Sequence, residues 1–312
     1  MREIRDIVRA FQKHRDEPLA LATLVAARGS SYRRPGARML ICDDGTTAGS
    51  LSGGCLEEEV VRCAVGVIRD GDPVLMNFDT RRRFGCNGSI DIFVEPARLD
   101  FLDRLAADFS ERRHSYVVTT FAGDKDLGTQ IVPHEAAVAG TAFAQEIEPA
   151  IRLLVFGEGP DSVALRAFAE ILGWEVLEIE QASDLANHAD SRTAAIVKSH
   201  NYGRDFAALR HLLKLDLPYV GLLGPRQRRD QLLNAVLDDG VTIDAEVFAP
   251  AGLDLGAETP EELALSLVSE IQATFAGAST QSLHKRKVPI HGWNVVRRSA
   301  SMPMVECAGS AP

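Results

Sequence analysis

Apolar positions recur along this chain in two rhythms, and each rhythm predicts a different kind of domain. Ile4, Ile7, Val8 and Phe11 return at helical spacing, which predicts an amphipathic helix at the start. Strands are predicted at Leu19 to Ala26, Arg38 to Cys42 and Thr47 to Leu51, separated by loops rich in Gly, Ser, Arg and Asp. A helix follows from Leu56 to Arg69, and Asp70-Gly71-Asp72-Pro73 stops it. Strands near Val74 to Phe78 and Ile90 to Val94, a helix from Leu99 to Arg112 and a strand at Tyr116 to Phe121 complete a mixed domain, α/β or α+β, over residues 1–135. Residues 136–150, a run of Ala, Gly and Glu-Pro, read as a linker.

Beyond residue 150 the pattern is regular. Strands at Arg152 to Phe156, Glu175 to Ile179, Ala194 to Val197 and Tyr219 to Leu222 are interleaved with helices at Ser162 to Leu172, Asp205 to Leu215 and Gln227 to Asp238. That order predicts a parallel sheet with helices on both faces, a Rossmann-like domain over residues 151–276. Its last helix starts on Thr259-Pro260-Glu261-Glu262, which supplies a cap, a proline at the first turn and the carboxylate of a capping box. The fold class is therefore α/β, with a mixed first domain and a parallel-sheet second one.

Composition narrows the function classes. The 312 residues are 46% hydrophobic and 25% charged, the balance of an ordinary globular protein. The net charge of −10 argues against a nucleic-acid-binding body, which needs a basic face. The longest nearly apolar stretch, Leu19 to Ala27, is too short for a membrane span. Met1-Arg2-Glu3-Ile4-Arg5-Asp6 carries mixed charge where a secretory signal would be apolar, so a cytoplasmic protein is expected. Residues 277–312 form a basic tail, with Lys285, Arg286, Lys287, Arg297 and Arg298 against the single acid Glu306, and read as a flexible extension. The five cysteines are odd in number and none forms a C-x-x-C pair, which argues against both a disulfide framework and a structural zinc site.

Four segments carry chemistry. Arg28-Gly29-Ser30-Ser31-Tyr32-Arg33-Arg34-Pro35-Gly36-Ala37 joins two strands; its hydroxyls, guanidinium groups and glycines suit a phosphate, although a solvated connection has the same residue types. Ser50-Leu51-Ser52-Gly53-Gly54-Cys55 leads from a strand into a helix, placing Cys55 where free amides favour a thiolate, or simply at a tight turn. Phe84-Gly85-Cys86-Asn87-Gly88 sets a thiol between glycines after three arginines, while Cys42 and Cys63 read as packing residues. Gly157-Glu158-Gly159-Pro160-Asp161-Ser162 follows a strand and opens a helix as a dinucleotide fingerprint does, with Glu180 near the position of a ribose-binding carboxylate. Glu158, Pro160 and Asp161 add negative charge and remove an amide there, which argues against tight NAD(P) binding. His200 and Arg226 lie at the ends of later strands, where open α/β sheets place ligands.

Together these segments resemble the XdhC/CoxI family of accessory proteins for molybdenum hydroxylases of the xanthine dehydrogenase or carbon monoxide dehydrogenase type. The pieces that carry the resemblance are Gly29-Ser30-Ser31 with Arg33-Arg34-Pro35-Gly36-Ala37, Gly49-Ser50-Leu51-Ser52-Gly53-Gly54-Cys55, Cys86 before Phe93-Val94-Glu95-Pro96, and Gly252-Leu253-Asp254-Leu255-Gly256-Ala257-Glu258-Thr259-Pro260. Tyr32, Glu58, Ser199 and Pro225 depart from the family's usual residues. The resemblance implies a chaperone that binds the molybdenum cofactor, protects it during sulfuration and delivers it to an apo-hydroxylase, with a cysteine desulfurase as second partner and self-association. Ser30, Ser31, Arg33, Arg34, Ser52, Gly53, Gly54, Cys55 and Cys86 are then the cofactor residues of the first domain, Cys55 and Cys86 its metal ligands. Gly157, Gly159, Ser162, Glu180, His200 and Arg226 are those of the second, and no residue is expected to be catalytic. An NAD(P)-dependent oxidoreductase and a persulfide-carrying sulfur-transfer enzyme are the alternatives.

Overall fold

A computed structural model of the chain describes residues 2–29, 31–79, 88–123, 127–134, 141–243 and 246–287. The chain divides into two compact units at Pro149/Ala150. In the first, helix α1 (Arg2–Lys13) is followed by strands β1 (Leu19–Gly29), β2 (Arg38–Cys42) and β3 (Thr47–Gly49), helix α2 (Glu57–Asp70) and strands β4 (Val74–Asp79) and β5 (Gly88–Pro96). The strands form one antiparallel sheet in the order β3-β2-β1-β5-β4, with β1 at its centre. Because successive residues of a strand point to opposite faces, β1 serves two cores. Ala20, Ala22 and Leu24 pack with Val60, Ala64 and Val67 of α2. Val25 joins Phe93, Phe121 and Phe143 on the other side.

Helix α3 (Leu99–Ser110) leads to a second antiparallel sheet of β6 (Ser115–Ala122), β7 (Gly128–Ile131) and β8 (Thr141–Ile147), ordered β7-β6-β8. Residues 141–147 fall in the stretch read as a linker, and here the sequence reading needs correction. Thr141, Phe143 and Ile147 are buried and the strand pairs with β6 from Ser115↔Ile147 to Ala122↔Thr141. Alanines and a glutamine between the buried residues blur the period-2 signal, so pairing with β6 decides the matter where local propensity does not.

The second unit contains the predicted parallel sheet, ordered β10-β9-β11-β12-β13, from β9 (Arg152–Phe156), β10 (Glu175–Ile179), β11 (Thr193–Val197), β12 (Tyr219–Leu222) and the short β13 (Val247–Phe248). Leu153, Val155, Ala194 and Ile196 face helices α4 (Asp161–Leu172) and α7 (Pro260–Phe275). Leu154, Phe156, Ala195 and Val197 face α5 (Tyr202–Leu212) and α6 (Arg226–Asp238). Strands buried on both faces explain why the sequence shows continuous apolar runs rather than alternation. Helix α5 begins three residues earlier than predicted because the Asn201 side chain accepts a hydrogen bond from Arg204 N and caps it. The capping box of α7 forms as read, with Thr259 Oγ1 accepting from Glu262 N and the Glu262 carboxylate accepting from Thr259 N. No helix among the described residues is long and apolar enough to cross a membrane.

Two substitutions in α7 separate capping from packing. Thr259→Ala removes one capped amide and is expected to cost about 1 kcal/mol, whereas Ile271→Ala, fully buried, is expected to cost about 2–5 kcal/mol. Urea titrations of the full-length variants followed by circular dichroism measure both.

Candidate functional site

In the first unit two loops meet at the end of β1. Arg33 Nη1 donates to Ser50 Oγ at 3.3 Å, and Tyr32 lies beside Gly53. Arg33 is also ion-paired with Glu3, whose other oxygen accepts from Arg38 N at 3.0 Å. Ser31 Oγ donates to Arg33 O at 2.8 Å, and Arg34 is exposed. The register Gly29↔Gly88 brings the start of β5 to the same sheet end. Ser30 and Cys86, both predicted site residues, lie outside the described residues.

The Cys55 loop is latched by one carboxylate. Glu57 folds back from the first turn of α2 and accepts from Ser52 N at 2.8 Å, Ser52 Oγ at 2.6 Å, Leu56 N at 3.1 Å and Leu51 N at 3.3 Å. Burial alone would raise its pKa, but the hydrogen bonds from Ser52 and the nearby amides together hold it below the ordinary carboxylate range. The latch is therefore present above the ordinary glutamate pKa and lost only as pH falls through the lowered value. Ser52 Oγ in turn accepts from Gly54 N and Cys55 N, each at 3.2 Å. Cys55 precedes the Leu56 cap and is exposed, together with Gly53 and Gly54. Gly54 has φ +104° and open space over its Cα, so the loop offers a thiol and backbone to solvent without a side chain in the way. Glu57 already occupies the amides at this helix start, which the sequence reading assigned to a thiolate.

In the second unit the glycine turn after β9 sits against the end of β11. Gly157 has φ +109°, and a Cβ there would come within 2.5 Å of Ser199 N and Cα, so only glycine fits. Above Gly159 lie the Asp161 carboxylate and the Lys198 ammonium, paired at 3.0 Å with side chains 10% and 1% exposed. Asp161 Oδ2 and the buried Ser162 Oγ have no hydrogen-bond partner among the described residues. These atoms suit a ligand that donates hydrogen bonds, and the carboxylate opposes a pyrophosphate at the place the fingerprint would put one.

Glu180 is exposed, and its carbonyl accepts from Arg204 Nη2 at 3.4 Å. His200 is exposed with φ +55°, and Arg226 is the exposed first residue of α6. The residue buried among them is Asp205, which accepts from Ser199 N at 3.1 Å and Arg228 Nη2 at 2.6 Å, and is also bonded by Ser199 Oγ. Lys198, Asp205 and Arg228 were not singled out in the sequence. Lys198 had one signal, a lone cation closing an apolar strand.

This is a two-unit α/β protein in which a thiol-bearing loop pair and a Rossmann sheet edge each gather polar groups. Residues 153–271 match the XdhC Rossmann domain, and residues 13–79 match the XdhC and CoxI family. A Bacillus subtilis protein named as a probable xanthine dehydrogenase subunit is 31% identical, with 83% of this chain and 93% of that one covered. The Escherichia coli molybdenum cofactor insertion chaperone PaoD is 25% identical, with 80% and 81% covered. The crystal structure of a Bacillus halodurans protein described as a xanthine dehydrogenase superposes with a TM-score of 0.75 over 90% of this chain and 97% of its own, at 24% identity, a likeness of fold. The chain belongs to the XdhC and CoxI family.

Cys55 is expected to alkylate in the native protein at least tenfold faster than Cys42, which is 2% exposed. Glu57→Gln is expected to loosen the latch and raise the Cys55 rate further, read by mass spectrometry of time points in iodoacetamide. Lys198→Ala leaves Asp161 buried without its cation and is expected to cost about 3–5 kcal/mol in urea denaturation.

Proposed function

We propose that this protein binds the molybdenum cofactor, holds it while its terminal sulfur ligand is installed, and inserts it into an apo molybdenum hydroxylase of the xanthine dehydrogenase type. The observation that carries this reading is the loop pair around Cys55. A soft thiol stands exposed on a run of glycines, backed by Ser52 and beside a loop with two arginines. That donor set matches a group with a soft metal at one end and a phosphate at the other. When bound, the cofactor supplies the molybdenum, its dithiolene and the phosphate.

Each residue then has a task. Cys55, with Cys86 as second thiol, would hold the metal end. Gly53 and Gly54 would let the ligand approach the backbone, and Ser30, Ser31, Arg33 and Arg34 would hold the phosphate. Ser52 and Glu57 keep the loop in shape before loading. Two relatives support the chaperone reading by name, one as a probable part of xanthine dehydrogenase and the other as a cofactor insertion chaperone. Sulfur donation by a cysteine desulfurase, self-association and a cytoplasmic setting belong to the same proposal. The protein turns nothing over by itself in this reading.

Anaerobic incubation of the full chain with molybdenum cofactor, followed by gel filtration and metal and pterin analysis, tests it. Stoichiometric retention is expected, with a loss of at least tenfold in Cys55→Ala; absence of retention by the unaltered chain sinks the proposal. NAD(H) and NADP(H) titrated by calorimetry are expected to give no saturable heat, because Asp161 and Lys198 take up the space over Gly159. Saturable binding would favour the oxidoreductase.

A further inference from the structure

Away from both loop clusters, the first unit brings together an imidazole, a carboxylate and a thiol. His14 follows the last turn of α1, Glu17 lies three residues on, and Cys42 ends β2. His14 Nδ1 and Glu17 Oε2 are 2.8 Å apart, and the ligand atoms of all three residues lie within 4.8 Å of one another. We propose that His14, Glu17 and Cys42 form a binding site for a zinc-class divalent cation, which clamps the C-terminal end of α1 to the β2–β3 hairpin.

The backbone fixes this triad from two directions. Glu17 N donates to His14 O at 3.1 Å, so the two side chains leave one tight turn. The strand that follows pairs Leu19 with Cys42, which sets the thiol beside that turn. Beyond Cys42 the hairpin is closed by Gly45 N donating to Cys42 O and Cys42 N donating to Thr46 O. Asp44 Oδ1 accepts from Thr46 N at 2.8 Å and so stiffens the loop rather than joining the triad.

The chemistry and the spacing both suit the metal. Zinc takes thiolate, imidazole and carboxylate together in a tetrahedron, at about 2.3, 2.0 and 2.1 Å, which puts the ligand atoms about 3.3–3.6 Å apart. His14 Nδ1 and Glu17 Oε2, at 2.8 Å, lie closer than this and no ligand atom is more than 4.8 Å from another, so small side-chain rotations complete the set. A mixed sulfur, nitrogen and oxygen set favours zinc or cobalt over magnesium or calcium, which take oxygen ligands alone. The thiol proton passes to solvent as the metal binds. Cys42 is 2% exposed, His14 half-buried and Glu17 exposed, so a metal there is shielded on the protein side and reached from the Glu17 side. Three protein ligands leave the fourth position to water.

The test uses the reduced, chelator-treated full chain and Co(II) as the probe. One equivalent of Co(II) is expected to give tetrahedral visible bands and a near-ultraviolet thiolate-to-cobalt band, unchanged in Cys63→Ser and lost in Cys42→Ser. Zn(II) competition against a chromophoric chelator is expected to show at least tenfold weaker binding in His14→Gln and in Glu17→Gln. Both are substitutions outside the core, and circular dichroism checks their fold. The proposal is overturned if no Co(II) binds, if the thiolate band persists in Cys42→Ser, or if folded His14→Gln binds Zn(II) as tightly as the unaltered chain.

Discussion

The first unit depends on the pairing of β1, the central strand of its five-stranded sheet. Its register with β5 runs from Ala20↔Pro96 to Gly29↔Gly88, and its register with β2 from Leu19↔Cys42 to Thr23↔Arg38. A slip of one residue would exchange the two faces and break both cores at once. The same pairing settles where chemistry can occur. At one end it delivers the serine and arginine loop beside the start of β5, and at the other it sets the Cys42 thiol against the turn after α1.

The second unit adds buried charge to the pairing of its central strand β11. Lys198 with Asp161, and Asp205 with Arg228 and Ser199, fasten the glycine turn and the starts of α4, α5 and α6 to the sheet's carboxyl edge. Ion pairs this well buried gain little net stability, but removing one partner is costly, so they hold a single arrangement more than they add to its depth. A sheet edge organised this way differs from a phosphate cradle, in which amides stand free for the ligand.

Much of this architecture was legible in the sequence. The parallel strands of the second unit were readable because double burial leaves continuous apolar runs, and the start of α7 because capping is a local affair of four residues. β8 was not, since only its pairing with β6 makes Thr141 and Phe143 into one face. The two loops of the first unit were visible as motifs, yet their meeting through Arg33 and Ser50 was not. Cys55 was legible at a helix start, but the fold-back of Glu57 onto Ser52 is a tertiary shape that no spacing announces. Lys198 and Asp161 stand 37 residues apart, and only the parallel register brings them together.

Glu3 joins the first turn of α1 to the first unit's larger sheet. It bonds Arg33 in the loop and the backbone of Arg38, whose fully buried guanidinium is pushed down to about 10 by burial, while the charges of Glu3 and Glu95 act to raise it. Arg38 therefore keeps its positive charge at neutral pH, and the neighbouring acids are its counterweight. Positions 3, 33 and 38 thus share one electrostatic balance, so that removing the Glu3 carboxylate would be felt in a loop thirty residues away.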